Sequence, residues 1–308
     1  MKPRNLNEKL KTIERKHTNF SFGGKYSFIL TFGLITFLLY LFICVAPAIT
    51  SISYGFFDVS SGTIDQKIFV GYENYKTILS DPIFWKSLGN DGLIILGKEV
   101  IIVVLSVFFA VAMTKFGLNK KEVGVYRFIL YMPAILSIVF IVYFWDNFFD
   151  GNYGLFAKML GTDDIAFKSE YAIPIITFVA SWCGIGYFMI ILISSIGNIP
   201  ESLYEAARLD GANQFTQLFR VTLPQVKPQI IFLIVNIIST SLAGNMNLVL
   251  PFYGVSNEKT LVMGTYVYYY ANNKNMLGFS NAAAVLLMII SFVVCYTLNN
   301  TLTKEEKK

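Results

Sequence analysis

Apolar residues in this chain are gathered into long runs separated by short polar connections. Six runs are long enough to cross a bilayer, which takes about 20 residues per crossing. They lie at 28–49, 88–113, 126–146, 171–197, 228–250 and 279–302. Backbone amides in hydrocarbon must find partners inside the protein, so these runs predict helices, and no alternating barrel pattern competes with them. One stretch breaks the rhythm. Residues 201–224, ESLYEAARLDGANQFTQLFRVTLP, are polar and sit between two apolar runs. Pro200 suits the first turn of a helix, and Glu201 complements its positive end. Leu203, Ala206 and Ala207 share one face of that helix. Gly211 then permits a sharp left-handed turn. Asn213 caps a second short helix, in which Phe215, Leu218 and Phe219 repeat at i, i+3 and i+4. Pro224 and Pro228 are expected to stop this helix before the fifth run begins.

The pattern is a helix–turn–helix whose two apolar faces are too small to form a domain. They need a groove on another protein or the lipid headgroup region. An amphipathic loop lying on the membrane is the plainer alternative, and it calls for a basic polar face. Here Glu201, Glu205 and Asp210 mix with Arg208 and Arg220. The mixture favours a protein partner.

Composition supports the membrane reading. Of 308 residues, 55% are hydrophobic and 15% charged, whereas soluble domains are about a quarter charged. The 28 Phe and 18 Tyr suit a lipid-facing surface and its interfacial belts. A net charge of +5 raises the question of nucleic acid, but its distribution answers a different one. Lys and Arg number seven in the leader 1–27, four in 114–127, three in 198–227 and three in the tail 303–308. The other three connections carry three, two and two. The positive-inside bias therefore places both termini, and the stretch 198–227, in the cytoplasm. The organisation expected is a basic leader over 1–27, as a short surface helix or disordered, a six-helix domain over 28–302 and a tail over 303–308. The first run is too long for the apolar core of a cleaved signal peptide.

Candidate chemistry is sparse. Cys44, Cys183 and Cys295 are odd in number, far apart and inside apolar runs, which reads as buried hydrophobes rather than a disulfide or metal set. His17 is the only histidine. No G-x-x-x-x-G-K-[ST] sequence occurs, so ATP is not expected to bind this chain. The runs do not split into two halves with matching broken helices, as many secondary transporters do. The fifth run carries Asn236, Ser239, Thr240, Ser241, Gly244, Asn245 and Asn247. Neutral amides and hydroxyls suit sugar hydroxyls, and they equally suit packing between helices. Trp182 and Tyr187 in the fourth run offer stacking surfaces for a sugar ring, or membrane packing. Asp91, Lys98 and Glu99 lie in the second run, where ionisable groups are costly and face the bundle interior. They are expected to pair, across to a partner chain, or else to tune selectivity for a charged substrate.

The stretch EAARLDGANQFTQLFRVTLP resembles the EAA loop of ABC importer permeases. Glu205, Ala206, Ala207, Gly211, Leu223 and Pro224 match its pattern, with Val221 where Ile is usual. FVGYENYKTIL, residues 69–79, resembles an extracellular stretch of the sugar permeases through Phe69, Gly71, Asn74 and Tyr75. Residues 126–140 and 145–160 resemble their third span and following loop. The resemblance covers 28–302 and is to the larger-partner type of the carbohydrate-uptake family, similar to maltose and glycerol-phosphate permeases. It implies an all-α, six-helix type I ABC importer permease in a bacterial plasma membrane. It also implies a heterodimer with a second permease subunit, and an extracellular solute-binding protein that delivers a carbohydrate, an oligosaccharide among them. Two cytoplasmic ATPase subunits would hold the ATP and Mg, leaving no cofactor in this chain. Residues 200–211 would form the coupling helix in the ATPase groove. This chain is more charged at Asp91, Lys98 and Glu99 than the family pattern. A permease for a phosphodiester or peptide, and a secondary transporter or channel without an ATPase, remain the alternatives.

Overall fold

The computed structural model describes residues 22–59, 67–115, 117–151, 154–160, 171–255 and 259–304. The expectations for leader residues 1–21 and for residues 305–308 of the tail lie outside the described residues. The chain divides into two units, Met1–Ser53 and Tyr54–Lys308.

In the first unit, α1 (Phe22–Tyr40) passes through a π turn at Leu41–Val45 into α2 (Ala46–Tyr54). Together they form one apolar helix over Tyr26–Tyr54, longer at both ends than the run at 28–49. Thr31, Thr36 and Thr50 each donate to the carbonyl four residues back at 2.8 Å, so their hydroxyls carry their own partners. The π turn has a local cause. Pro47 lacks an amide, and its ring crowds the carbonyl four residues earlier. A wider turn just before it, closed by Ala46 N–H to Leu41 O, absorbs that ring without breaking the helix.

The second unit opens with a two-residue hairpin, β1 (Phe57–Asp58) and β2 (Ile68–Phe69), paired antiparallel with Phe57 opposite Phe69. Next come α3 (Glu73–Ser80) and α4 (Pro82–Lys115). Asp81 caps α4 by accepting the Ile83 amide at 2.9 Å. The helix starts six residues before the run at 88–113. Then follow α5 (Lys120–Ile135), α6 (Ile138–Phe149), the short α7 (Leu155–Leu160) and α8 (Ala172–Gly197). Past the polar stretch, with its α9 (Glu201–Leu209) and α10 (Gln214–Gln217), are α11 (Leu223–Gly244), α12 (Met246–Tyr253), α13 (Met263–Tyr268) and α14 (Leu277–Lys304).

Two expectations are corrected. The run at 126–146 is not one straight span: α5 and α6 meet at 98°. Leu136 and Ser137 between them are extended, with ψ of 145° and 138°. The bend turns the apolar face of α6, with Ile141, Val142, Trp145 and Phe149, onto Ile176 and Val179 of α8 and Val249 of α12. Burial of that face stabilises the break. Secondly, Pro224 and Pro228 do not stop the helix ahead of the fifth run. Helix continues over Gln214–Tyr253. A π turn at Leu218–Thr222 stands the same two residues before Pro224 as the first π turn stands before Pro47, and the wider turn accommodates the proline ring without ending the helix. Among the described residues, five helices thus have the length and apolarity of a span, and six crossings result if the bent pair is counted as one broken span.

The core of this unit runs between α4, α8 and α11, through Ile102, Ala110, Ile185, Met189, Leu192, Leu233 and Ile237. Gly186 lets α8 approach α5 closely. A Cβ there would collide with the Leu130 carbonyl and lie 2.6 Å from the Tyr131 Cα. Gly186→Leu should therefore force the two helices apart, at a cost of about 1–3 kcal/mol for overpacking. A thermal melt of the purified protein in detergent should show a lowered midpoint; an unchanged midpoint would contradict the close crossing.

Candidate functional site

The polar stretch folds as a braced helix with one bare side. α9 ends at Leu209, and Gly211 makes the turn at φ +79°. The Asp210 and Ala212 amides close the end on the Ala206 and Ala207 carbonyls at 3.0 and 2.9 Å. Asn213 caps α10 by accepting the Thr216 amide at 2.8 Å. The Gln217 side-chain amide reaches back to the Ala212 carbonyl at 2.9 Å and fastens the turn. Glu205, Ala206 and Pro224 are exposed, and Ala207 and Leu223 are half-buried. Leu209 is 90% exposed and Phe215 75%, so the outer side of this stretch is apolar as well as bare.

The other side of α9 is anchored by Tyr204, which is only 2% exposed. Its hydroxyl lies 3.0 Å from Thr222 Oγ1 in the π turn. The ammonium of Lys115, the last residue of α4, stands 3.4 Å from the Tyr204 ring centroid, in a cation–π arrangement. The same ammonium is 3.4 Å from Glu201 Oε2, and Arg208 pairs with the other Glu201 oxygen. A cavity of 360 Å³ lies alongside, lined by Lys115, Glu201, Tyr204, Arg208, Gln217 and Thr222 among others.

At the far end of α4 a second polar group is buried. The Asn245 amide donates to Asp91 Oδ1 at 2.7 Å, and its carbonyl oxygen accepts from Lys98 Nζ at 3.0 Å. Asp91 Oδ2 also accepts the Met263 amide at 2.7 Å, which satisfies the first amide of α13. Lys98 is thus bonded inside its own chain. Asn245 stands at the junction of α11 and α12, so the group ties α4 to α11, α12 and α13 at once. The Glu99 carboxylate is buried with no hydrogen-bond partner among the described residues. Nearby, Tyr266 and Tyr270 donate to Asp81 at 2.7 and 3.3 Å. Burial, reinforced by the Asp81 carboxylate, raises both phenols above their ordinary range and keeps them protonated donors.

Between these ends lies a cavity of 390 Å³, walled by α4, α5, α6, α8 and α11. Its polar lining is Lys98, Tyr131, Cys183, Tyr187, Thr240 and Ser241. Lys98 is 8% exposed, and Asn245 takes one of its three ammonium hydrogens. The Thr240 and Ser241 hydroxyls donate to the Asn236 and Ile237 carbonyls and keep acceptor capacity for a ligand.

Of the substrate-path candidates, only Tyr187 reaches this cavity. Trp182 instead packs in the aromatic cluster of α6 and α8, its ring 6.3 Å from Phe144 and 5.4 Å from Trp145. Asn236 is half-buried, Ser239 and Asn247 are exposed, and Asn245 is committed to Asp91 and Lys98. Two side chains of these sites give no clear signal in the sequence. Tyr131 is one tyrosine among many in an apolar run, and Tyr204 looks like an ordinary helix residue until its burial is seen.

Comparison with known proteins agrees with this architecture. Residues 24–304 match the family described as binding-protein-dependent transport system inner membrane component. The multiple sugar-binding transport system permease protein MsmF of Streptococcus mutans is 31% identical over 235 residues, which cover 73% of this chain and 78% of that one. The diacetylchitobiose uptake system permease protein NgcF of Streptomyces coelicolor is 26% identical over 285 residues, covering 87% and 80%. A chain of a bacterial ABC transporter that imports the acidic polysaccharide alginate superposes with a TM-score of 0.81 at 20% identity, over 91% of this chain and 96% of that one. That likeness is of fold: a type I ABC importer permease.

Asn245→Leu should leave Asp91 and Lys98 buried without their bridging partner, a loss of about 1–3 kcal/mol or more. Asn247→Leu, at an exposed position, should cost little. Melting both variants in detergent checks the contrast; equal midpoints would contradict the network.

Proposed function

The chain belongs to the family of binding-protein-dependent transport system inner membrane components, and on that premise we propose that it is one permease subunit of an ATP-driven importer for a carbohydrate, in particular an oligosaccharide. The observation that carries the coupling half of this reading is α9 with its Gly211 turn: a helix anchored on one side and bare on the other. Glu205, Ala206, Ala207 and Gly211 form the surface that enters a groove of a cytoplasmic ATPase subunit. The small alanines allow close approach, and the Glu205 carboxylate is free to meet a basic group. Leu223 and Pro224 set the start of α11 behind it. The chain then has both termini in the cytoplasm, as its lysine and arginine distribution favours. A second permease subunit supplies the other half of the path, two ATPase subunits bind ATP and Mg, and an extracellular solute-binding protein delivers the solute. Closure of the ATPase pair moves α9 and rocks the bundle between its two faces as a rigid-body change.

The cavity supports the substrate half. Its 390 Å³ falls in the range of small-molecule sites, about 300–1,000 Å³. Tyr131 and Tyr187 offer ring faces for a sugar, and Lys98 with the two phenols offers donors to ring hydroxyls. The sugars and glycans named for MsmF, NgcF and the alginate importer agree with that class. Lys98 also favours a second reading, in which the solute carries an acidic group.

Gly211 holds a φ of +79° that proline, fixed near −65°, cannot adopt. Gly211→Pro should leave the amount of chain in the membrane unchanged and abolish co-purification of the ATPase pair. Glu205→Lys should weaken that co-purification at least about tenfold, the scale of a reversed charge-assisted contact. Undiminished co-purification in both variants would remove α9 from the coupling role.

A further inference from the structure

α4 and α11 are fastened to each other twice, once near each end. At one end are Lys115, Tyr204 and Thr222; at the other, Asp91, Lys98 and Asn245. Asp91 and Lys115 are 24 residues apart on α4, and Thr222 and Asn245 are 23 apart along the fifth span. At 1.5 Å per residue these are about 36 and about 35 Å of helix. The two fastenings therefore face each other squarely across the length of the bundle. The seam between them is apolar, through Ile102, Ala110, Leu233 and Ile237, and such a seam resists separation better than sliding. The polar ends supply what it lacks, a fixed register.

Tyr204 is the piece that joins this frame to α9. Its ring carries the α4 ammonium on one face, and its hydroxyl reaches the π turn that opens α11. Lys115 and Arg208 both hold Glu201, the first residue of α9, so the helix is gripped at its start and along its buried side. The far side of α9 carries no such bonds: Glu205, Ala206 and Leu209 are exposed. We infer that Tyr204, with Thr222 and Lys115, is the positioning joint through which displacement of α9 drives α4 and α11 as one piece. The inference rests on the coupling role proposed for α9 and adds the residues that transmit it.

Cys183 supplies a reporter that needs no identified solute. It lies on the α8 wall of the cavity, so a change in cavity access should alter its reaction with a small, water-soluble methanethiosulfonate. The experiment uses the whole transporter, with its ATPase pair, in lipid nanodiscs, with Cys44→Ser and Cys295→Ser in this chain. Labelling of Cys183 is followed by mass spectrometry before and after addition of ATP and Mg. In the parent protein the labelling rate should change with ATP. Tyr204→Phe and Thr222→Val should each shrink that change at least about threefold, the scale of one hydrogen bond, while the ATPase pair still co-purifies. Both variants delete the Tyr204–Thr222 bond, and Thr222→Val also removes the 3.4 Å bond from Thr222 Oγ1 to the Gln217 carbonyl, so combining them should do no more than Thr222→Val alone. Thr222→Ser, which keeps the hydroxyl, should retain the parent response. A full ATP response in Tyr204→Phe and in Thr222→Val overturns the joint and leaves the coupling role of α9 standing. Failure of the ATPase to co-purify with the parent, or a parent without any ATP response, overturns the coupling role and the joint together.

Discussion

A polar group buried in hydrocarbon must be given a partner, because leaving one without costs several kcal/mol. In this chain that requirement decides where α4 sits. Asp91 and Lys98 lie on a helix otherwise rich in apolar side chains, and Asn245 bonds to both, one through each end of its amide. Asn245 in turn occurs where α11 gives way to α12, and Asp91 holds the first amide of α13. Asn245 and Asp91 together thus register four helices. Thr31, Thr36 and Thr50 of the first membrane helix follow the same rule more cheaply, each returning its hydroxyl to a carbonyl one turn back. Prolines follow it as well. Pro47 and Pro224 are each preceded by a π turn that keeps the helix continuous around the missing amide.

Much of the architecture is legible in the sequence, for a physical reason. A span must be long, apolar and helical, so each run announces itself without reference to its neighbours. What the runs do not announce is packing. The 98° break between α5 and α6 depends on the surface offered by α8 and α12, which no local pattern within 126–146 contains. The prolines at 224 and 228 misled in the same way, since a local rule that ends helices yields to a π turn backed by tertiary contacts. The helix–turn–helix at 201–224 is the opposite case. Its Gly211 turn and Asn213 cap are local chemistry, and both stand as expected.

The site divides along the same line. The exposure of Glu205 and Ala206 follows from the polar character of their stretch. The pairing of Lys98 with Asn245 does not, because 147 residues separate them and many polar groups in the fifth run compete for the assignment. Tyr187 reaches the cavity and Trp182 does not, although both sit in one short aromatic segment; the 3.6-residue period turns them to different neighbours. Among the described residues, the Lys98 ammonium on α4 is the one charged group in the cavity lining. A lysine beside two tyrosines offers donors to an oxygen-rich solute, and a purely apolar wall would not.

The contrast between the two sides of α9 remains the feature from which the functional reading grows. One side is sealed by Tyr204, Lys115 and Thr222; the other presents Glu205, Ala206 and Leu209 to whatever lies beyond. Cross-linking at that bare side tests it most directly. A single cysteine placed by Ala206→Cys, in membranes containing the assembled transporter, should form a cross-linked product of this chain with an ATPase subunit when a short bis-maleimide is added. Free labelling of that cysteine by a polar thiol reagent in the assembled transporter, with no product joined to an ATPase subunit, would contradict the coupling role.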